Sequence, residues 1–118
     1  MDAFENLEVW KRSCRLSVEI HKLLSECKDY AFKDQLFRSA LSVPSNIAEG
    51  YERGSRKEYI RFLNIAKGSC AELRTQLYIG MEAGIIRRDR ATQHVQESSE
   101  LSKMLQGLIS KLAVTSSV

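Results

Sequence analysis

The sequence predicts an all-α fold, an antiparallel up-down-up-down four-helix bundle in which residues 1–118 form a single domain. Three observations lead there. Apolar residues recur every three to four positions along four long stretches, the spacing of one helix face. The chain has six glycines and one proline, too few for the turns of an all-β fold. The segments between the periodic stretches are short, which sets consecutive helices side by side and antiparallel. With 43% hydrophobic and 28% charged residues, 118 residues can bury one core without staples, and the composition is too apolar for disorder.

The first helix is expected from about Leu7 to Cys27. Asn6 can cap it, and Glu8 in its first turn suits the helix dipole. Trp10, Cys14, Leu16, Ile20, Leu23 and Leu24 form its apolar side. Lys11, Arg12, Arg15, Glu19, Lys22 and Glu26 form the other. Lys28 to Ala31 make a polar link.

The second helix is expected from Phe32 or Lys33 to Arg53, with Leu36, Phe37, Ala40, Val43, Ile47 and Tyr51 facing inward. Pro44 interrupts it. Proline has no N–H to donate to the carbonyl of Ala40, so one helix kinked at Pro44 is expected. The alternative is a full break with Pro44 at the first helical position. That would make Val43 the cap, and valine caps poorly. Gly54 suits a left-handed residue ending this helix, and Ser55-Arg56-Lys57-Glu58 reads as a capping box opening the next.

The third helix spans Arg56 to Glu82. Its stripe is Tyr59, Phe62, Leu63, Ala66, Cys70, Leu73, Leu77 and Met81. Gly84 ends it, and Ile85-Ile86 is expected to tuck under the bundle end. Asp89 can cap the fourth helix, Arg90 to Leu112, whose stripe is Ala91, Val95, Leu101, Leu105, Leu108 and Leu112. Ala113 to Val118 reads as a frayed tail. There is no internal repeat.

The bulk features exclude several function classes. Cys14, Cys27 and Cys70 are scattered without a CxxC pair, which argues against disulfide scaffolds and structural zinc, and reads as buried free thiols in a reducing cytoplasm. The opening residues are acidic and lack the apolar core of a secretory signal. No apolar run approaches the roughly 20 residues that cross a bilayer. The expected protein is therefore cytoplasmic, with no membrane role. Net charge is +3, mildly basic, which leaves nucleic-acid binding open without arguing for it.

The helices lack the common catalytic patterns. Carboxylate di-iron bundles need Glu-x-x-His, because residues at i and i+3 can grip one metal, and none occurs. His94-x-x-Glu97 reverses the order and reads as a solvated face. His21 reads as a partly buried, hydrogen-bonded histidine. Gly50-x-x-x-Gly54-Ser55 lacks the spacing and lysine of a phosphate loop. No cofactor, metal or enzymatic activity is expected. The rival reading is an enzyme using Glu49, Glu72 and Asn46 in a cleft.

Two features remain. Gln35, Ser39, Ser42, Asn46, Glu49 and Arg53 form a polar stripe along the second helix, and Gly68, Ser69, Ala71 and Glu72 a small-residue patch on the third. They read as an exposed stripe, or as a helix contact within the bundle or between subunits. The second feature is cationic. Arg87, Arg88 and Arg90 stand at the start of the fourth helix, where they oppose the dipole. Arg53, Arg56, Lys57 and Arg61 group at the other hairpin, diluted by Glu49, Glu52 and Glu58. These groups read as charged loop residues in water, or as contacts for an anion or nucleic-acid phosphate.

The run Ser42-Val43-Pro44-Ser45-Asn46-Ile47-Ala48-Glu49-Gly50, with Gln35 to Leu41 before it, resembles the signature of the four-helix bundle family encoded in intervening sequences of bacterial 23S rRNA genes. The resemblance continues through Glu58-Tyr59-Ile60-Arg61-Phe62-Leu63 and Ala66 to Leu73, and includes Phe4, Leu7, Val9 and Trp10. It covers nearly the whole chain, and in the fourth helix it is only generic. It implies a bundle that assembles as a ring-shaped homopentamer, with no activity attached. A related branch, the accessory protein of diversity-generating retroelements, is strongly basic and binds a reverse transcriptase and nucleic acid. The present chain is less basic: five copies would carry about +15, an appreciable but not decisive field. The resemblance thus implies a homo-oligomeric scaffold whose partner is RNA or DNA, a nucleic-acid enzyme, or an unidentified protein.

Overall fold

A computed structural model describes residues 3–116. A 3-10 turn, Phe4–Asn6, leads into four helices: α1 (Glu8–Leu23), α2 (Tyr30–Glu52), α3 (Arg56–Glu82) and α4 (Arg88–Ser116). There is no strand among the described residues. The molecule measures 50 × 21 × 20 Å. Its length follows from α3, whose 27 residues span about 40 Å at the rise of an α-helix.

Contacts across neighbouring helices run in opposite senses. Ser39 meets Glu72 and Gln76, Ser42 meets Ser69, and Gly50 lies against Phe62. Ser17 reaches Ala40 while His21 stacks on Phe37. Lys67 meets Gln106 and Arg74 meets Ser98. α2 therefore runs antiparallel to α1 and α3, and α4 to α3. Leu16, Ile20, Leu36, Val43, Ile47, Leu63, Leu73, Leu77, Leu101 and Leu105 fill the core, at most 4% exposed. They come from every helix, so no pair of helices could bury them alone.

Most differences from the sequence expectations lie at helix ends. α1 starts after Leu7 with no side-chain cap, so Asn6 is not the cap. The Phe4–Asn6 turn takes that place, and Phe4 packs edge-on to Trp10 at 5.3 Å, setting the entry of the chain. α1 ends at Leu23 rather than Cys27, with Leu24 buried just past the last turn. α2 starts earlier than expected because Asp29 caps it, accepting the Phe32 amide at 3.1 Å. Ser55 caps α3 by accepting the Glu58 amide at 3.1 Å. The Glu58 carboxylate turns to Arg61 at 3.0 Å.

Gly54 and Gly84 both have positive φ, +84° and +73°. At the end of α3 the Ile85 amide donates to Gly80 and the Gly84 amide to Met81, the paired bonds of a Schellman motif. The motif turns Ile86 back under the bundle, where it is 6% exposed and lies over Gly80. α4 begins at Arg88, so Asp89 lies in its first turn and is not the cap; its carboxylate pairs with Arg87 at 2.8 Å. α4 also runs on to Ser116, through most of the tail expected to fray after Leu112. Positions 117–118 of that tail lie outside the described residues.

α2 passes through Pro44 without interruption, so the full break does not occur. Proline leaves the Ala40 carbonyl without its helical partner. The Ser17 hydroxyl, buried on α1, supplies the replacement: it donates to that carbonyl at 2.9 Å. The Ser13 carbonyl of its own helix is a second acceptor at 3.1 Å. A defect in one helix is thus satisfied by a side chain of the next, which also fixes how the two helices meet.

Candidate functional site

The polar stripe of α2 lies along its seam with α3. Ser39 is buried there, and its single hydroxyl proton has the Glu72 carboxylate at 2.8 Å and the Gln76 amide oxygen at 2.9 Å as acceptors. The carboxylate makes the stronger, charge-assisted bond. The Ser42 and Ser69 hydroxyls meet at 2.8 Å, and Asn46 Nδ2 donates to the Ser42 carbonyl and hydroxyl at 2.7 and 2.9 Å. Within the chain, the stripe's middle is therefore a contact between α2 and α3. No buried side-chain polar atom among the described residues lacks a partner.

The ends of the stripe do not join this seam. Gln35 is exposed. Glu49 pairs with Arg53 on its own helix at 3.1 Å. Glu49 and Glu72 thus face separate partners, Arg53 and Ser39, and Asn46 bonds to its own helix. Of the two contacts considered for Gly68, the one within the bundle does not occur: a Cβ built there meets nothing within 4 Å. Ala71 beside it is also exposed. The glycines that permit close approach are Gly50 and Gly80. A Cβ at Gly50 would stand 2.6 Å from Phe62 Cβ, and one at Gly80 would stand 2.6 Å from Ile86 Cδ1.

The two cationic groups occupy opposite ends of α3, so one subunit does not combine them. At the α2–α3 hairpin, Arg53 pairs with Glu49 and lies 3.9 Å from Glu58, while Arg61 pairs with Glu58 at 3.0 Å. Both guanidinium groups stand over the Phe62 ring, 4.8 and 4.7 Å from its centroid. The Arg61 hydrogen bond holds the Glu58 carboxyl below its ordinary range, so the pair stays ionised. Arg56 and Lys57 are exposed and form no ion pair among the described residues. At the other end Arg87 pairs with Asp89, and Arg88 with Glu82 at 3.3 Å, while Arg90 is exposed. Both cationic groups are thus interleaved with acids.

Sequence reasoning missed the tie made by Arg12 and misjudged the burial of both histidines and of two thiols. Arg12, placed on the outer side of α1, makes a two-pronged bond to Glu97 at 2.6 and 2.9 Å and ties α1 to α4. His94 is not on a fully solvated face: it is half-buried, and burial lowers its pKa. His21 corrects in the other direction; it is exposed and lies against Phe37 at 5.2 Å. Of the thiols, only Cys70 is fully buried, and burial pushes its pKa up to about 11. Cys14 and Cys27 are half-buried. No cluster of His, Cys, Asp or Glu suited to a metal occurs among the described residues. No helix among them is long and apolar enough to cross a membrane.

The outer face of α3 carries exposed apolar side chains. Ile65 and Ile79 are 40% and 55% exposed on one side of it, with the exposed Gly68 between them; Tyr78, 54% exposed, lies about 140° around the helix from Ile65.

A family model described as 23S rRNA-intervening sequence protein matches residues 5–107. Among solved structures, the chain is similar to a protein of unknown function from the S23 ribosomal protein family of Bacteroides thetaiotaomicron VPI-5482. The two share 28% identity and a TM-score of 0.80, over 86% of this chain and 97% of that one. No curated protein matches.

Proposed function

Since the chain belongs to the 23S rRNA-intervening sequence protein family, we propose that it is a non-enzymatic subunit of a homo-oligomeric scaffold, a homopentamer, whose assembled surface binds a macromolecular partner. The observation that carries this reading is the outer face of α3. Two large apolar side chains, Ile65 and Ile79, stand exposed along one side of it, with a glycine between them that has open space above it. A covering subunit would remove that apolar area from water, at about 25 cal/mol per Å². The mass of the chain in solution tests the assembly.

The partner reading rests on the cations. Arg56 and Lys57 at the α2–α3 hairpin are exposed, and rotational assembly would repeat them around one end of a ring, as a phosphate backbone requires. Retention of RNA and DNA on filters, titrated across salt, tests this. Binding that weakens steeply with salt supports it, and no retention even at low salt refutes it. A protein adaptor is the second reading. It is favoured by the acids at both ends, since Arg53, Arg61, Arg87 and Arg88 each pair with a carboxylate. A specific co-purifying protein, with no nucleic-acid retention, would select it.

A further inference from the structure

We infer that the groove between α1 and α2 receives the apolar edge of an amphipathic helix from a partner protein, a helix with acids along the flank that lies over α1. This gives the protein-adaptor reading a site and a partner class, and it rests on that reading rather than on the ring. The groove has a volume of about 430 Å³ and is lined by Cys14, Val18, His21, Phe37, Leu41 and Pro44, with Ser17 at its base. Ser17 meets Ala40 and His21 meets Phe37, so Val18 and Leu41 stand level. They form the two lips, 52% and 43% exposed.

The base of the groove asks for an apolar occupant. The Ser17 hydroxyl is already donated to Ala40 at 2.9 Å, and burial raises the Cys14 pKa, so that thiol is neutral near pH 7. Cys14 to His21 covers about 10 Å along α1, two turns of a helix laid beside it. The depression continues past His21 and Phe37 to Leu24 and Lys33. A helix with apolar residues every three or four positions fills such a groove along its length. The groove is open to water on its outer side, so a small molecule seated there would stay partly hydrated. A flat bilayer surface would rest on Val18 and Leu41 and leave the base uncovered.

Charge decides which helix fits. Lys11, Arg15, Val18 and Lys22 follow one another by four, three and four residues, so three exposed cations share the α1 lip with Val18. Lys11 and Arg15 form no ion pair among the described residues, and Lys22 has Glu19 at 3.9 Å. The acids of α1 turn away: Glu8, Glu19 and Glu26 lie about 160° to 180° around the helix from Ser17. Glu19 borders the α1–α4 side with His94, a side that Arg15 also reaches. The α2 lip is mixed, with Asp34, Arg38 and Ser45 on the side of Leu41. A cationic α1 lip beside a mixed α2 lip complements a helix whose flank over α1 carries Glu or Asp. At the two hairpins, by contrast, Arg53, Arg61, Arg87 and Arg88 already have carboxylates. A phosphate backbone would meet the lip cations but has nothing apolar to place between them.

Fluorescence anisotropy tests the site with a labelled synthetic helix of about 18 residues, its leucines every three to four positions and its glutamates along one flank. The wild-type chain should bind it about tenfold more tightly than the same helix with a lysine flank. Leu41→Glu should weaken binding about tenfold or more, because a charge is forced into an apolar contact. The position is exposed, and circular dichroism and melting check that the variant folds. Lys11→Glu combined with Lys22→Glu should reverse the preference towards the lysine-flanked helix, which a merely structural effect would not do. No binding by wild type, equal binding of the two helices, or an unaffected Leu41→Glu overturns the site. Displacement of the helix by phosphatidylserine vesicles gives the groove to a membrane, and binding seen only below the chain's assembly concentration gives it to a second copy; either result overturns the inference. A protein that co-purifies equally with wild type and Leu41→Glu keeps the adaptor reading and overturns this site alone, whereas displacement of the helix by RNA overturns both.

Discussion

Removing the Ser17 hydroxyl should destabilise the chain through Pro44, a residue of the next helix. Pro44 has no amide hydrogen, so the Ala40 carbonyl depends on Ser17 at 2.9 Å. Ser17 is 5% exposed and Ala40 2%, so in Ser17→Ala water has little access to the abandoned carbonyl. An unsatisfied buried acceptor costs about 1–3 kcal/mol. A slope of roughly 2 kcal/mol per molar urea makes that a fall of about 1 M in the unfolding midpoint at the centre of the range. In a Pro44→Ala background the restored amide at position 44 can bond Ala40 within the helix. Ser17→Ala should then cost under about 1 kcal/mol, and the cycle should return a coupling of about 1 kcal/mol or more. Urea unfolding followed by circular dichroism, at one fixed protein concentration, measures all four variants. Equal costs of Ser17→Ala in both backgrounds would refute the claim that the serine substitutes for the missing helical bond.

Gly50→Ala should destabilise by about 1–3 kcal/mol and by more than Gly80→Ala, because its new methyl meets the Cβ of Phe62 and the backbone of Tyr59, which cannot rotate away. Gly80 faces the flexible ends of Ile86 and Phe32, so the reverse order of melting temperatures would count against the packing described. Arg12→Ala and Glu97→Ala should couple by about 0.5–1 kcal/mol in a double-mutant cycle, the worth of a partly exposed ion pair; purely additive effects would show that the α1–α4 tie contributes nothing. Burial lowers the His94 pKa in the folded chain, so the unfolded chain binds the proton first as pH falls through the unfolded value of about 6.5. Stability should therefore decline from pH 7 towards pH 5 and less so in His94→Gln; identical pH profiles would exclude the histidine as the cause.

The helix pattern is readable wherever burial follows a single period and the ends carry their own punctuation. α3 matches its expected bounds because Gly54 and Ser55 open it and Gly84 closes it, each through a backbone need that few other residues meet. α1 and α4 are harder. Asn6 and Asp89 are good capping residues by type, yet Asn6 falls in a preceding turn and Asp89 inside the first turn of α4. Leu24 belongs to the apolar stripe of α1 although the helix has ended, because a turn can bury a side chain as well as a helix does. The polar stripe on α2 is legible from its spacing. Its partners on α3 are not, since a serine at helical spacing reads alike whether it faces water or another serine. Arg12 shows the same limit: its charge suggests solvent, and its partner lies 85 residues away.

The mass of the full chain by light scattering, over a concentration series through the micromolar range, tests the central claim most directly. A single species of five chains is expected, persisting on dilution until it dissociates cooperatively. A monomer throughout the series would contradict the proposed scaffold, and would leave the exposed face of α3 without the subunit proposed to cover it.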